Sequence, residues 1–213
     1  NLGLGISVIR DQVFVLQETD VTLDLSYKLK ISETYDLYFG LKGGAAMINI
    51  DLTNAGSSVA DPLFARNESF LNPQFGAGMY LKHDDFYLSI SSPNYLNGKR
   101  YEKQGNTPRV AVNNLHMYYG FGYHFDVSDN LRITPGIMHR NTEGAPPSTD
   151  INATVKYKTI QAGMNYRIKE MYSIFTMFNI VENIQFGAAY DITASKISQV
   201  NDNGSMEVML KFQ

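Results

Sequence analysis

The stretch Val21–Ala46, VTLDLSYKLKISETYDLYFGLKGGAA, decides the fold. Over Val21–Lys30, apolar residues alternate with polar and charged residues without a break. Because the side chains of a strand point to opposite faces with period two, this pattern predicts a strand with one apolar and one polar face. The alternation resumes from Leu37, so each arm has about ten residues, the length that crosses a bilayer as a tilted strand. The pair predicts a hairpin of an outer-membrane barrel, because the arms of a soluble sandwich are usually shorter.

The composition of the chain narrows the function classes. A formal net charge of -3 over 213 residues leaves no basic footprint, which argues against a nucleic-acid partner. The absence of cysteine excludes disulfides and thiolate metal sites. No apolar run approaches the roughly 20 residues of a membrane helix. A mean hydropathy of -0.22 is compatible with a membrane barrel, because half of every barrel strand faces a polar lumen.

The same pattern recurs along the chain and predicts an all-β fold, an antiparallel transmembrane β-barrel that forms a single outer-membrane domain over residues 1–213. We expect about twelve strands in this chain. They are Leu2–Val8, Val21–Lys30, Leu37–Ile50, Asn72–Lys82, Phe86–Ser92, Leu115–Phe125, Leu131–Met138, Asp150–Tyr157, Ile160–Tyr166, Tyr172–Ile180, Ile184–Asp191 and Met206–Phe212.

The predicted connections alternate between short turns and longer loops. Outer-membrane barrels show this alternation because their turns are periplasmic and their loops extracellular. The short turns are Ile31–Tyr35, His83–Asp85, Asp126–Asn130, Lys158–Thr159 and Val181–Asn183. The longer loops include Asp51–Phe70, Asn94–Val112 and Ile192–Gly204.

Aromatic residues on the apolar face lie near the short turns and the C-terminus. Strands that run in opposite directions then place them at one level, which predicts an aromatic girdle on the periplasmic side of the membrane. A soluble sandwich gives no reason for aromatics to gather at one end of every strand. The residues of this predicted girdle are Tyr27, Phe39, Phe86, Tyr123, Phe125, Tyr157, Phe186 and Phe212.

Charged residues on the opposite parity predict a polar lumen. Both signs are interspersed along the chain, so we expect no selectivity ring of one sign. We favour an ion-pair network that fills a closed barrel over residues that line a path or grip a segment of a partner. The residues are Asp24, Lys28, Lys42, Lys82, Arg132, Arg140, Asp150, Lys156 and Glu207, and Lys30 and Lys211 share their parity.

Two long predicted loops carry aromatic residues within polar sequence. Such residues can anchor a protein partner, because aromatics are enriched at binding hot spots. They can equally fold back and plug the mouth of the barrel. The candidate partner-binding residues are Phe64, Phe70, Tyr95 and Tyr101.

The sequence predicts no catalytic, cofactor-binding or metal site. A metal site needs converging ligands, but the four histidines lie on different strands or turns. His116 and His124 share the lumen parity, yet they are eight residues apart, about 26 Å along a strand. No serine and histidine lie at a local spacing, and the GxSxG motif is missing. We therefore expect no cofactor and no enzymatic activity.

Several segments carry a family resemblance through their order and spacing. They are GLGISV at Gly3–Val8, LDLSYKLKIS at Leu23–Ser32, YFGLKGG at Tyr38–Gly44, NPQFGAGMYL at Asn72–Leu81, FYLSISSPNYL at Phe86–Leu96, FDVSDNLRITPGIM at Phe125–Met138, GAPPSTDINATV at Gly144–Val155 and IQFGAAYDIT at Ile184–Thr193. Barrels generate single strings of this kind readily, whereas their order over nearly the whole chain is specific. In this order the chain resembles the PorP/SprF family of type IX secretion outer-membrane proteins.

The resemblance implies a non-enzymatic β-barrel in the outer membrane of Bacteroidota, surrounded by outer-membrane lipid. Family members work with the components of the type IX secretion and gliding machinery. Many of them assist the export or surface attachment of one large secreted adhesin or surface protein. The resemblance supplies no catalytic residues. A passive porin or small-solute channel is the alternative function.

The sequence opens at Asn1 in the middle of the strand pattern. An open sheet edge would leave unpaired backbone groups in hydrocarbon, each at a cost of several kcal/mol, so the barrel has to close. One closure pairs Leu2–Val8 with Met206–Phe212. The family resemblance favours the other closure, in which further strands precede Asn1 and the full barrel has about fourteen strands.

Overall fold

The structure is a computed structural model that describes residues 1–51, 68–95, 99–104, 107–112, 115–194 and 204–212. Over these residues the chain forms fifteen β-strands and no helix, which confirms the predicted all-β class. In the same part of the chain, no helix is long and apolar enough to cross a membrane. The strands are β1 (Leu2–Val13), β2 (Leu16–Lys30), β3 (Asp36–Ile50), β4 (Glu68–Lys82), β5 (Phe86–Ser92), β6 (Lys99–Gln104), β7 (Thr107–Val112), β8 (His116–Tyr123), β9 (Phe125–Ser128), β10 (Leu131–Thr142), β11 (Ser148–Tyr157), β12 (Ile160–Arg167), β13 (Met171–Val181), β14 (Ile184–Thr193) and β15 (Ser205–Phe212).

Twelve of these strands form one antiparallel path in the order β1-β2-β3-β4-β5-β8-β10-β11-β12-β13-β14-β15, and β9 pairs beside β10. Each of the twelve predicted strands therefore has a counterpart on the path. The predicted strand Leu115–Phe125 is interrupted at His124, and β8 and β9 both pair with β10. The second of these pairings contains a register shift between Leu131 and Arg132, so a local irregularity accounts for the extra strand.

The hydrogen-bonded path begins at β1 and ends at β15. In the described part of the chain, β1 pairs with β2 alone and β15 pairs with β14 alone. The antiparallel sheet is thus established, and its closure into a barrel stays a prediction.

Several strands are longer than predicted. β1 reaches Val13 and β2 begins at Leu16, so the two strands meet in a tight turn where Phe14 has a φ of 54°. β4 begins at Glu68, inside the predicted loop Asp51–Phe70. The prediction followed the apolar alternation, whereas ladder hydrogen bonds continue beyond the stretch in which one face is apolar.

The predicted loop Asn94–Val112 was also wrong in part, because it contains a hairpin. Strands β6 and β7 pair antiparallel from Lys99 opposite Val112 to Gln104 opposite Thr107. β7 contains Pro108, and a proline cannot donate a hydrogen bond to a ladder. A proline is tolerated on an edge strand, and both strands of a two-stranded ribbon are edges.

The five short turns lie together at one end of the sheet, which is named the turn end. Three of them, Ile31–Tyr35, His83–Asp85 and Lys158–Thr159, separate strands as predicted. The other two shrink to Asp129–Asn130 and Glu182–Asn183, because the strands beside them extend. The opposite end is named the loop end. It also has short connections, at 14–15 and 168–170, so uniformly short connections are a property of the turn end only.

Burial in this sheet is inverted relative to a soluble sandwich. On β2 the apolar residues of the alternation are exposed, and the polar residues between them are shielded. Among the described residues, the buried hydrophobic side chains are Ala46 and Ile48 only. The buried polar ones are Thr22, Ser92, Ser148 and Asp150. The face that carries Leu23 is named the outer face, and the face that carries Thr22 the inner face.

Gly163 leaves room for the ring of Phe175 on the inner face of β12. A Cβ on Gly163 would overlap the ring of Phe175, its neighbour on β13, and would come within 3.0 Å of the Ala153 carbonyl oxygen. We expect Gly163→Ala to lower the free energy of unfolding by about 1–3 kcal/mol through overpacking. Gly43→Ala is the matched control, because no atom lies within 4 Å of its added Cβ. Equal denaturant midpoints for the two variants would contradict the prediction.

Candidate functional site

The eight aromatic residues of the predicted girdle lie on the outer face, in the half of each strand next to the turn end. Tyr27 stands opposite Phe39, and Phe86 stands opposite Tyr123. The rings of Tyr123 and Phe125 are 4.7 Å apart between centroids. The remaining members, Tyr157, Phe186 and Phe212, face outward on β11, β14 and β15. Their contact with lipid stays a prediction.

A second group of aromatics, which the sequence reasoning missed, lies on the outer face towards the loop end. Tyr166 and Tyr172 are a cross-strand pair whose rings stack at 4.6 Å. Tyr119 lies beside His139 at 6.4 Å, and Tyr190 stands opposite Met206. Their parity is visible in the sequence, but they lie far from the short turns and so fall outside the predicted girdle. Bands at both interfaces are typical of outer-membrane barrels.

Between the two aromatic groups lies a surface of exposed aliphatic side chains, named the apolar band. Leu23 is 64% exposed, and its neighbour Ile6 on β1 is 72% exposed. The band continues across the sheet. Its members include Leu4, Ile6, Leu23, Leu25, Leu41, Ile137, Ile151, Met164, Ile174 and Val208. A contiguous apolar surface of this extent marks an interaction with a membrane or a protein.

The nine predicted lumen residues lie on the inner face by register. In the described residues five of them, Asp24, Lys28, Lys42, Arg132 and Asp150, form separate ion pairs between neighbouring strands. Lys28 Nζ lies 2.7 Å from Asp36, and Lys42 Nζ lies 3.7 Å from Asp24. The remaining pairs are Arg132 with Asp126 at 2.6 Å and Arg167 with Asp150 at 2.9 Å.

The sequence reasoning missed three members of these pairs because of strand boundaries. Asp36 precedes the predicted strand that began at Leu37, and Arg167 follows the one that ended at Tyr166. Asp126 fell into a predicted turn. Extending the period-two pattern by one residue finds Asp36 and Arg167.

Asp150 has the most enclosed charge on the inner face, at 7% exposure. Its Oδ1 accepts hydrogen bonds from Arg167 Nε at 2.9 Å and Asn165 Nδ2 at 3.0 Å. Its Oδ2 accepts a third from Arg167 at 3.3 Å, so the guanidinium binds in a fork. This geometry ties β11 to β12 near the loop end.

The pair of Asp126 and Arg132 has the same fork geometry but is open to solvent. Arg132 Nε and Nη2 donate to the two carboxylate oxygens at 2.6 and 2.9 Å. These hydrogen bonds hold the pKa of Asp126 below its usual value. The pair lies at the turn end, where β9 ends.

The histidines take part in hydrogen bonds with neighbouring strands or turns. His116 pairs with Thr142, His124 with Thr134 and His139 with Thr149, each at 2.9 Å between Nδ1 and Oγ1. His83 accepts from the backbone N–H of Asp85 within its turn. Within the described ranges, no three metal-ligating side chains come together.

The sign of the inner-face charges depends on their position along the strands. Positive and negative charges are interspersed along the sequence, but the strand register places them at different ends of the sheet. The turn-end half of the described strands carries seven inner-face cations and three anions: Lys28, Lys30, Lys42, Lys82, Arg132, Lys156 and Lys211, with Asp24, Asp36 and Asp126. In the loop-end half, six anions face two cations: Asp11, Glu18, Asp20, Asp150, Asp191 and Glu207, with Arg140 and Arg167.

Three of the four predicted loop aromatics lie within the described residues. Phe70 is not on a loop, because it lies in β4 on the inner face opposite Ile48, where the ladder of β3 and β4 continues. Tyr101 lies in β6, and Tyr95 is exposed next to β5. Phe64 lies outside the described residues.

Comparison with protein families matches residues 1–212 to the family described as "Type IX secretion system membrane protein PorP/SprF". A search of the curated proteins finds no match. The matched residues span nearly all 213 positions, including every strand of the sheet. The match confirms the resemblance found in the order of the sequence segments. The chain therefore belongs to the PorP/SprF family of type IX secretion system membrane proteins.

Proposed function

We propose that this chain is a non-enzymatic outer-membrane β-barrel that assists the export or surface attachment of a large secreted protein. Its partners are components of the type IX secretion and gliding machinery and the secreted protein itself. The observation that carries the membrane assignment is the inverted burial, with exposed Leu23 beside shielded Thr22. Water would penalise that exposed apolar band, whereas lipid would solvate it. Family membership supports the link to type IX secretion.

The geometry supports one barrel domain over residues 1–213 with the turn end in the periplasm. Short connections gather at that end, and aromatic groups flank the apolar band on both sides. Both features are typical of outer-membrane barrels. On β14, Phe186 of the girdle and Tyr190 of the second aromatic group are four residues apart, about 13 Å along the strand.

The rival function is a passive porin or small-solute channel. Planar-bilayer recording separates the two functions, because a porin gives a large and steady current. We expect the purified protein to be silent, since the proposed role needs no open pore. A stable conductance at neutral pH would favour the porin and contradict the proposed role in export or surface attachment.

We predict that the protein behaves as an integral membrane barrel in extraction and gel assays. It should stay in the membrane pellet after carbonate washing, because the apolar band binds lipid without help from charge. In mild detergent, unboiled and boiled samples should migrate differently on a gel, since a closed sheet resists unfolding by detergent. Release into the carbonate supernatant would overturn the membrane assignment.

Capture of the tagged protein from native membranes tests the secretion role. We expect type IX components and one large secreted protein to co-purify, identified by mass spectrometry. The control is an unrelated barrel with the same tag, captured in the same way. Recovery of the same proteins with both baits, or of none with this one, would contradict the role.

A further inference from the structure

We propose that the turn end of the inner face binds an acidic polypeptide segment, in a groove that crosses the Lys158–Thr159 turn. The inference does not depend on a role in secretion, because it requires only that the turn end meets water.

The groove consists of two adjoining cavities that share Lys156 and Lys158. One has a volume of about 320 Å³ and reaches across to Asn130 and Arg132. The other has a volume of about 250 Å³ and extends along β12 and β13 past Gln161. Together they form a continuous path from the β9–β10 turn to β14, across several strands, which is the shape that an extended chain occupies.

The positive charge in the groove is not neutralised within the described part of the protein. Lys156 and Lys158 form no ion pair there, and the Lys158 ammonium instead lies 5.6 Å from the ring centre of Tyr157. Asp129 lines the first cavity without pairing with either lysine. No carboxylate lines the second cavity. Among the described residues, the groove therefore carries two lysines outside any ion pair against one unpaired carboxylate, and its net charge is positive.

The arrangement fits a polypeptide better than a phosphate. A phosphate site usually uses the fork of an arginine, but the fork of Arg132 is bound to Asp126. The second cavity is lined by amide and hydroxyl groups, which can both donate to and accept from a peptide backbone.

The charge pattern beyond the groove indicates several acidic groups in the partner. Lys30, Lys82 and Lys211 lie at the same end of other strands on the inner face. None of the three forms an ion pair among the described residues. A segment with multiple carboxylates complements this end of the sheet, whereas the loop end, with its excess of anions, would repel it.

Binding of a short fluorescent peptide of alternating glutamate and serine to the purified protein in detergent tests the proposal. We expect this peptide to bind at least roughly tenfold more tightly than its counterpart with glutamine in place of glutamate. Binding should weaken as salt is raised, because the groove is open to solvent. Equal binding of the two peptides would overturn the proposal without any variant being made.

The variant K156Q/K158Q should weaken binding of the glutamate peptide by roughly tenfold. Lys169→Gln is the matched control, because Lys169 also has a positive φ, 65° against 52° for Lys158, but lies in a turn at the loop end. We expect this control to bind as the wild type does. The heat-dependent gel shift checks that each variant is folded.

Unchanged binding by a folded K156Q/K158Q variant would overturn the assignment of the groove. Inorganic phosphate provides a further arm of the experiment. Phosphate and acetate are compared at equal ionic strength. If phosphate displaces more peptide than acetate does, the site is one for phosphate and the proposal fails. If displacement only follows ionic strength, the acidic-peptide site stands. Failure of this site leaves the proposed secretion role unaffected, since capture from membranes measures that role separately.

Discussion

Replacing Asp150 by alanine is expected to lower the free energy of unfolding by about 2–4 kcal/mol. The carboxylate accepts three hydrogen bonds from Arg167 and Asn165, and its side chain is only 10% exposed. Without it, the Arg167 guanidinium keeps the weaker contact with Glu170 at 3.8 Å and a hydrogen bond to Met171 Sδ at 3.5 Å. The loss is smaller than for a fully buried pair, because the Arg167 side chain is 27% exposed and water can reach it.

Asp126→Ala is the matched control for this change, since it removes a carboxylate from a fork of the same geometry that is exposed to solvent. The side chains of Asp126 and Arg132 are 56% and 45% exposed, so we expect at most about 1 kcal/mol. Both variants are measured by denaturant unfolding in the same detergent. A loss for Asp126→Ala as large as that for Asp150→Ala would show that enclosure on the inner face does not strengthen the pair.

Leu23→Arg is expected to destabilise the protein in a lipid bilayer by about 2–4 kcal/mol. Leu23 lies within the apolar band on β2, so the guanidinium would stand in hydrocarbon. On the surface of a soluble protein, the same change at a residue with 64% exposure would be nearly neutral. The prediction therefore separates the two environments.

Leu29→Arg controls for the charge itself, because Leu29 has the same outer parity but lies next to the turn end. There the side chain reaches the interface, and we expect a cost of about 0–1 kcal/mol. The free energy of unfolding is measured after refolding into vesicles. A neutral Leu23→Arg, or equal costs at the two positions, would contradict a transmembrane orientation of β2.

The inner and outer faces thus have different physical tasks. On the outer face, exposed aliphatic residues lie between two aromatic groups. The inner face is uneven, with excess positive charge at the turn end and excess negative charge at the loop end. A lipid environment would require only the apolar outer face. The uneven charge of the inner face bears on what docks at each end of the sheet.

Much of the fold was determined by the sequence itself. The alternation around Leu23 and Thr22 predicted the strands, their two faces and the sites of the short turns, because side-chain direction in a strand has a local period of two. Three turns, such as Lys158–Thr159, were placed at their observed bounds. The order of segments along the chain also determined the family, which the match over residues 1–212 confirmed.

Other features were decided only by the tertiary structure. Three of them depend on how far each ladder extends. They are the hairpin of β6 and β7, the inner-face position of Phe70, and the second aromatic group, which includes Tyr166. The partners of Asp150 depend on register, which pairs it with Arg167 across seventeen positions of sequence. The sorting of charge between the two ends has the same origin. Alternation shows on which face a side chain lies, but only the pairing of strands shows at which level it stands and what it meets there.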